Sequence, residues 1–277
     1  MLDPILQAKI IQDARDFMKH NSKPELQDFE SDQDLKKPQP PLQKARMRPE
    51  EQAIVLPRDF ETLGLEGNLL ELLIKRKSAR VYTGEALSLL QLSFLLWATQ
   101  GVKDIRGKKY ATLRTVPSGG ARHAFETYLL VQNVEGLAPG KYHYLAIEHQ
   151  LEFLGAQEDS NQAITASLDS QSWAAKASVV FYWSFVPYRC EWRYGVFAHS
   201  PALIDAGHVG QNLYLACTAL GLGTCAIAAF DGNICDGIFG LDGDEEFTVY
   251  ASPVGTISAR DLAAEKAFYQ FVEDEGL

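Results

Sequence analysis

Residues 201–230 read PALIDAGHVGQNLYLACTALGLGTCAIAAF, and the organisation of the chain follows from this stretch. Leu203, Ile204, Val209, Leu213, Tyr214, Leu215 and Leu220 are interleaved with Ala202, Ala206, Gly207, Gly210, Ala216 and Ala219. A helix with small or apolar residues on nearly every side has no broad charged face to show water, so the pattern predicts a buried central helix. Gly221 is expected to end it, because glycine adopts the left-handed conformation that closes helices. Gly207 and Gly210 each weaken a helix by about 1 kcal/mol relative to alanine, which calls for a compensating close approach of either another helix or a ligand. After the helix, Gly223 to Phe230 offers backbone and small side chains but no catalytic base. His208 stands alone here; a hydrogen-bonded structural role is expected, with catalysis the alternative.

A chain of 277 residues with 46% hydrophobic content can bury a substantial core. Helical and strand-like segments alternate without a clean break, which predicts one α+β domain, residues 58–277, behind an N-terminal extension, residues 1–57. The formal net charge of -10 excludes a general electrostatic attraction to nucleic acid or to an anionic membrane. No apolar run approaches the roughly 20 residues that span a bilayer, and no basic region precedes an apolar signal core, so a soluble, cytoplasmic protein is expected. Cys190, Cys217, Cys225 and Cys235 lack C-x-x-C spacing, and reduced, buried thiols are expected rather than a metal site or a disulfide scaffold.

Within the extension, Pro4 to Met18 can form a short amphipathic helix through Ile5, Leu6, Ile10, Ile11, Ala14 and Phe17. From His20 to about Pro57 the pattern gives way to charges and prolines; an arm wrapped over the body or onto a partner competes with disorder. The sequence then predicts helices from Leu69 to about Lys77 and from Ser88, a plausible N-cap, to Ala98. Between them Arg76, Ser78 and Arg80 alternate. An extended backbone points all three one way, and two guanidinium forks beside a hydroxyl suit a phosphate. The alternative is a solvated helix end whose cations sit near the C-terminal dipole.

Arg114 to His123, RTVPSGGARH, follows. Pro117 fixes the entry, and Ser118, Gly119 and Gly120 let backbone approach a flat ligand and present N–H groups, although such turns also occur without a ligand. Strands are predicted over residues 126–131, 177–184 and 246–255, a hairpin over 141–155 breaking near Glu148, a polar helix around 160–171, and a C-terminal helix from about Ala259.

These pieces, in this order, resemble the nitroreductase superfamily, and more closely its SagB/ThcOx-type branch of azoline dehydrogenases. The resemblance runs from about Leu56 to Gly255 and rests on Arg76-x-Ser78-x-Arg80, Leu95 to Gly101 including Gln100, Arg114 to His123, Asp205 to Leu213, and Gly221 to Thr224. It implies a mostly antiparallel sheet flanked by helices, an intertwined homodimer, and FMN bound at the subunit interface. By the same resemblance Arg76, Ser78 and Arg80 hold the phosphate, ribityl chain or ring edge. Gln100 joins the cofactor set, and Pro117, Ser118, Gly119 and Gly120 line the flavin from the other subunit. Gly221, Gly223 and Thr224 approach it from the central helix, and Arg260 is a candidate phosphate ligand or, alternatively, an exposed helix-end charge. The flavin carries the electrons, with NAD(P)H as a transient reductant, so no nucleophile or metal is required.

Branch members carry a Lys-Tyr pair ahead of the central helix. Here the pair is Arg193-Tyr194. Lysine can lose its proton and act as a base, whereas arginine stays protonated, so Arg193 suits binding an anion or steadying reduced flavin, and Tyr194 suits either proton transfer or packing. The implied function is an FMN-dependent oxidoreductase acting on a small molecule or peptide. Its alternatives are a peptide-azoline dehydrogenase beside a cyclodehydratase and a flavin-binding accessory subunit with little turnover.

Overall fold

The computed structural model describes residues 3–19 and 29–258, and beyond these 260, 263, 266, 267, 270, 274 and 275. In chain order the elements are α1 (Pro4–Met18), β1 (Ile54–Val55), α2 (Leu69–Lys75), α3 (Leu89–Gln100), β2 (Val102–Arg106), β3 (Ala111–Arg114), β4 (Phe125–Val131) and β5 (Gly140–Leu145). They continue with β6 (Gln150–Gly155), α4 (Ser160–Ser167), β7 (Val179–Phe185), α5 (Pro187–Tyr194), α6 (His199–Ala219), β8 (Leu222–Thr224), α7 (Gly232–Phe239) and β9 (Phe247–Thr256). Seven strands form one sheet in the order β1-β6-β5-β4-β7-β9-β8, and each neighbouring pair is antiparallel. β2 and β3 pair separately as a hairpin.

β4 and β7 are buried at every position because both sheet faces are covered. Side chains alternate across the pleat: Leu129, Val131, Phe181 and Trp183 join α3 and α6 in one core, while Tyr128, Leu130, Val180 and Tyr182 join α4 and α7 in the other. α3 starts with a reciprocal capping box, in which Ser88 accepts from the Gln91 N–H and Gln91 accepts from the Ser88 N–H. α6 runs to Ala219, and Gly221 follows at φ +67°.

The buried-helix expectation describes one side of α6. Ala202, Ala206, Val209, Leu213, Ala216 and Cys217 are buried, but Leu203, Ile204, Gly207, His208 and Gln211 form an exposed stripe on the single chain. A Cβ on Gly210 would lie 2.7 Å from the Tyr250 ring, which accounts for that glycine, whereas Gly207 faces open space.

Residues 29–57 lie on the body of their own chain. Proline-rich segments form few regular backbone hydrogen bonds, so their N–H groups need other acceptors. Three buried glutamates, Glu126, Glu152 and Glu246, meet that need from the sheet side. Glu126 accepts from the Lys44 N–H at 2.6 Å, and Glu152 accepts from the Met47 and Arg48 N–H groups at 3.0 and 2.6 Å. Glu246 pairs with the Lys44 ammonium. Further along, the Gln33 N–H donates to the Trp192 carbonyl, and the Trp192 indole donates to the Lys37 carbonyl. The C-terminal helix was expected from Ala259, which lies outside the described residues; Arg260 is helical and exposed.

Candidate active site

Two clusters hold most of the candidate residues. The first is built on the Ser118–Gly120 turn. The Ser118 hydroxyl accepts from the His123 N–H at 2.9 Å, and a short 3-10 turn spans Gly119–Ala121. Two non-glycine residues here take left-handed backbone, Ala121 at φ +55° and His123 at φ +45°, beside Gly120 at +57°. Such outliers persist where the surroundings over-determine them. The surroundings here are α5 and α6. A Cβ on Gly120 would lie 2.5 Å from the Tyr194 hydroxyl and 2.7 Å from the Arg193 side chain. The structure therefore brings the Gly119-Gly120 turn against Arg193 and Tyr194 of the same chain. Pro117 is exposed at the entry to this turn.

Sequence reasoning missed three residues that organise this cluster. Asp205, buried on α6, accepts from the Gly119 N–H at 3.1 Å, so that donor is already engaged. Burial pushes the Asp205 pKa up, against the lowering effect of its bonds to Ser118 and Gly119. Arg122, buried between β3 and β4, donates to the Gly120 and Tyr110 carbonyls, both at 3.0 Å, and lies over the Tyr110 and Trp192 rings. Tyr110, the last residue of the β2–β3 turn, accepts from Arg193 Nη1 at 2.6 Å and from Gln33 at 3.2 Å. The signal for Arg122 and Asp205 was their place inside quoted motifs; Tyr110 carried no comparable signal, because only the fold brings it to the turn.

The second cluster lies at the C-terminal end of α6. α2 ends at Lys75 rather than Lys77, and an extended segment follows. Arg76 lies over the Tyr214 ring at 5.2 Å, and the Ser78 hydroxyl is 2.9 Å from the Tyr214 hydroxyl, which accepts from the Ala226 N–H. Arg80 lies over a different ring, Trp173, at 5.9 Å, while Arg76 and Ser78 share Tyr214 as a neighbour. Gly223 and Thr224 serve this segment structurally: a Cβ on Gly223 would meet Ala79 at 2.8 Å, and the Thr224 carbonyl accepts from the Ala79 N–H. Gly221 faces open space.

Gln100 is buried at the C-terminal end of α3. Its Oε1 accepts from Arg114 at 2.9 Å, while its Nε2 is buried without a partner. Burial pushes the Arg114 pKa down to about 10 despite the nearby Glu126 charge. His208, expected to be hydrogen-bonded structure, is instead 45% exposed on the α6 stripe, with Nδ1 4.0 Å from Asp205.

Asp205 and Tyr214 are nine residues apart on α6, about 13.5 Å along the axis and about half a turn round it. The two clusters thus flank the exposed stripe from opposite sides.

A model of the nitroreductase family matches residues 73–256, a span that takes in both clusters, α6 and most of the sheet. The chain belongs to the nitroreductase family. A Methanocaldococcus jannaschii protein named "Putative nitroreductase MJ1384" is 36% identical over 197 residues, 71% of this chain and 93% of that protein. The trifolitoxin-processing protein TfxB of Rhizobium leguminosarum bv. trifolii is 28% identical over 136 residues, 47% of this chain and 36% of TfxB. In the E. coli microcin synthetase McbBCD complex with truncated pro-MccB17, one chain has the same fold, with a TM-score of 0.58 and 20% identity, covering 93% of this chain and 95% of that one. As a nitroreductase-family oxidoreductase, the chain needs no catalytic triad. Among the described residues, no helix is long and apolar enough to cross a membrane.

Proposed function

We propose that this chain is an FMN-dependent oxidoreductase that passes hydride equivalents between two substrates using one pocket in turn. One observation carries the reading: Arg76, half-buried beside the Ser78 and Tyr214 hydroxyls, has no carboxylate partner among the described residues. A guanidinium left uncompensated next to hydroxyls fits a phosphate. FMN, when bound, supplies the two-electron carrier. Arg76, Ser78 and Arg80 hold its phosphate end, with Arg260 as a further cation, and Gly221, Gly223 and Thr224 contribute backbone. Gln100 joins them through its unpartnered Nε2.

Pro117, Ser118, Gly119 and Gly120 line the ring from a second copy of the chain. This division is supported by the two clusters lying on opposite sides of α6 and by the exposed Leu203–Ile204 stripe between them, which a homodimer would cover. Arg193 remains cationic throughout and steadies negative charge on substrate or cofactor; it does not remove a proton. Tyr194 donates or accepts one. NADH or NADPH is the transient reductant.

A visible absorption spectrum of the purified protein, followed by anaerobic NADH and NADPH, tests this. A yellow protein that bleaches supports the cycle, and a protein that cannot be loaded with FMN refutes it. Yellow protein turned over by no donor and acceptor would identify an accessory flavin subunit. Gly120→Ala, assayed saturated with FMN, is expected to lower NAD(P)H oxidation about 100-fold, because it displaces Arg193 and Tyr194 on the order of an ångström. Unchanged turnover would separate those side chains from the chemistry.

A narrower second reading is a peptide thiazoline or oxazoline dehydrogenase working with a cyclodehydratase. The likenesses to TfxB and to a chain of the microcin synthetase complex favour a peptide substrate, while Arg193 in the lysine position argues against base catalysis there. Oxidation of azoline-bearing peptide with a cyclodehydratase present is the decisive assay.

A further inference from the structure

The β2–β3 hairpin is a basic island on an acidic protein. Lys103, Arg106, Lys108 and Lys109 lie within seven residues that contain one carboxylate, Asp104, in a chain of net charge -10. All four cations are exposed, and none has a carboxylate partner among the described residues. Unpaired like charges so close together repel one another, and the nearby Asp104 and Glu148 leave the cluster with a net positive charge.

Beside the hairpin tip is a cavity of about 630 Å³, within the size range of binding sites. Lys108 and Lys109 form part of its rim, and Pro40, Pro41, Ile105 and Ile147 give it apolar walls. Two of the other cations lining it are paired with buried glutamates, and the one carboxylate, Glu148, is held by a neutral amide. Lys44 pairs with Glu246, Arg46 lies 3.5 Å from Glu152, and Glu148 accepts from Gln43 at 2.7 Å. The tip is fixed rather than loose: the Lys109 carbonyl accepts from Gln39 of the arm at 3.2 Å. Tyr110 follows directly, with its hydroxyl on Arg193, so this surface adjoins the candidate active site.

We infer that the hairpin and this cavity form a docking site for an acidic stretch of a polypeptide substrate. Free ammonium groups at the rim match carboxylates, and the apolar walls match intervening side chains, which a bare phosphate or polyphosphate would leave uncovered. The inference rests on the redox reading of the Arg193 site for its purpose, but binding itself needs no turnover.

The test uses the full-length, flavin-loaded protein and a fluorescein-labelled peptide of glutamate, serine and leucine, read by fluorescence anisotropy. A matched peptide with glutamine for glutamate is the control. Lys108→Glu combined with Lys109→Glu should weaken glutamate-peptide binding about tenfold or more, since two attractive contacts become repulsive. Wild-type binding should weaken with salt, while the flavin spectrum and NAD(P)H oxidation of the variant stay as in wild type. Equal binding by the variant, or equal binding of the glutamine peptide, would overturn the docking site. Competition by inorganic polyphosphate or an oligonucleotide stronger than by unlabelled peptide would overturn it in favour of a phosphate site. A protein without flavin chemistry whose variant still loses the peptide would sink the redox reading alone.

Discussion

Replacing Glu126 with alanine is expected to destabilise the protein by about 3–5 kcal/mol, the usual consequence of removing one partner from a buried charge pair. Glu126 is 3% exposed. It pairs with Arg189, lies 3.1 Å from His143 Nε2, and accepts the Lys44 N–H from the arm. The Nη1 of Arg189 is already buried without a partner, so losing Glu126 leaves that guanidinium still less compensated. Chemical denaturation of the variant measures the loss. A change below about 1 kcal/mol, in the range of exposed pairs, would mean that the network contributes little.

The same network predicts a pH dependence. Burial lowers the His143 pKa, but hydrogen bonds and charges from Glu126 and Glu152 outweigh it and hold the imidazole above its ordinary 6.5. A raised histidine pKa stabilises the fold in full below 6.5 and loses that contribution as pH rises through the elevated value. Burial raises the Glu126 pKa, but Arg189, His143 and Arg114 together hold it well below 4.5. That contribution is full above 4.5 and is lost as pH falls through the lowered value. The network is therefore strongest between pH 4.5 and 6.5. Wild-type stability should decline above pH 6.5, and Glu126→Ala should decline less steeply, as denaturation across that range would show. Parallel curves would refute the coupling.

Arg76→Ala is expected to weaken FMN binding by about 1.5–3 kcal/mol, or about 10- to 150-fold, the range for hydrogen bonds to a charged group. Arg80→Ala should act in the same direction. Arg76 is half-buried and Arg80 exposed, so neither change should unfold the protein. Flavin fluorescence titration of both variants reads the effect. Unchanged affinity in both would move the phosphate site elsewhere.

Much of the fold was legible because its signals are local. Ser88 before an apolar run, Gly221 after a small-residue helix, and the unbroken apolar run around Phe181 each act within a few residues, and α3, α6 and β7 stand where they predicted. α5 and the β2–β3 hairpin were not predicted as elements. The hairpin is mostly charged, and α5 buries Arg189 alongside Cys190 and Trp192, so neither shows a clean apolar period. The candidate site was legible as motifs but not as an arrangement. Nothing near Gly119 in sequence announces that Asp205 takes its N–H, and nothing near Arg193 announces Tyr110.

By itself the sequence determined the element types, the family and the cation-hydroxyl segment at Arg76 to Arg80, because capping, periodicity and motif spacing depend on neighbours along the chain. The tertiary structure decided which side of α6 is buried and that three glutamates fasten the arm. It also decided that the Gly120 turn meets Arg193 and Tyr194 on the opposite side of α6 from Arg76. Those outcomes depend on residues 70 or more positions apart meeting in space, and such pairings are fixed only when the sheet and its two cores close.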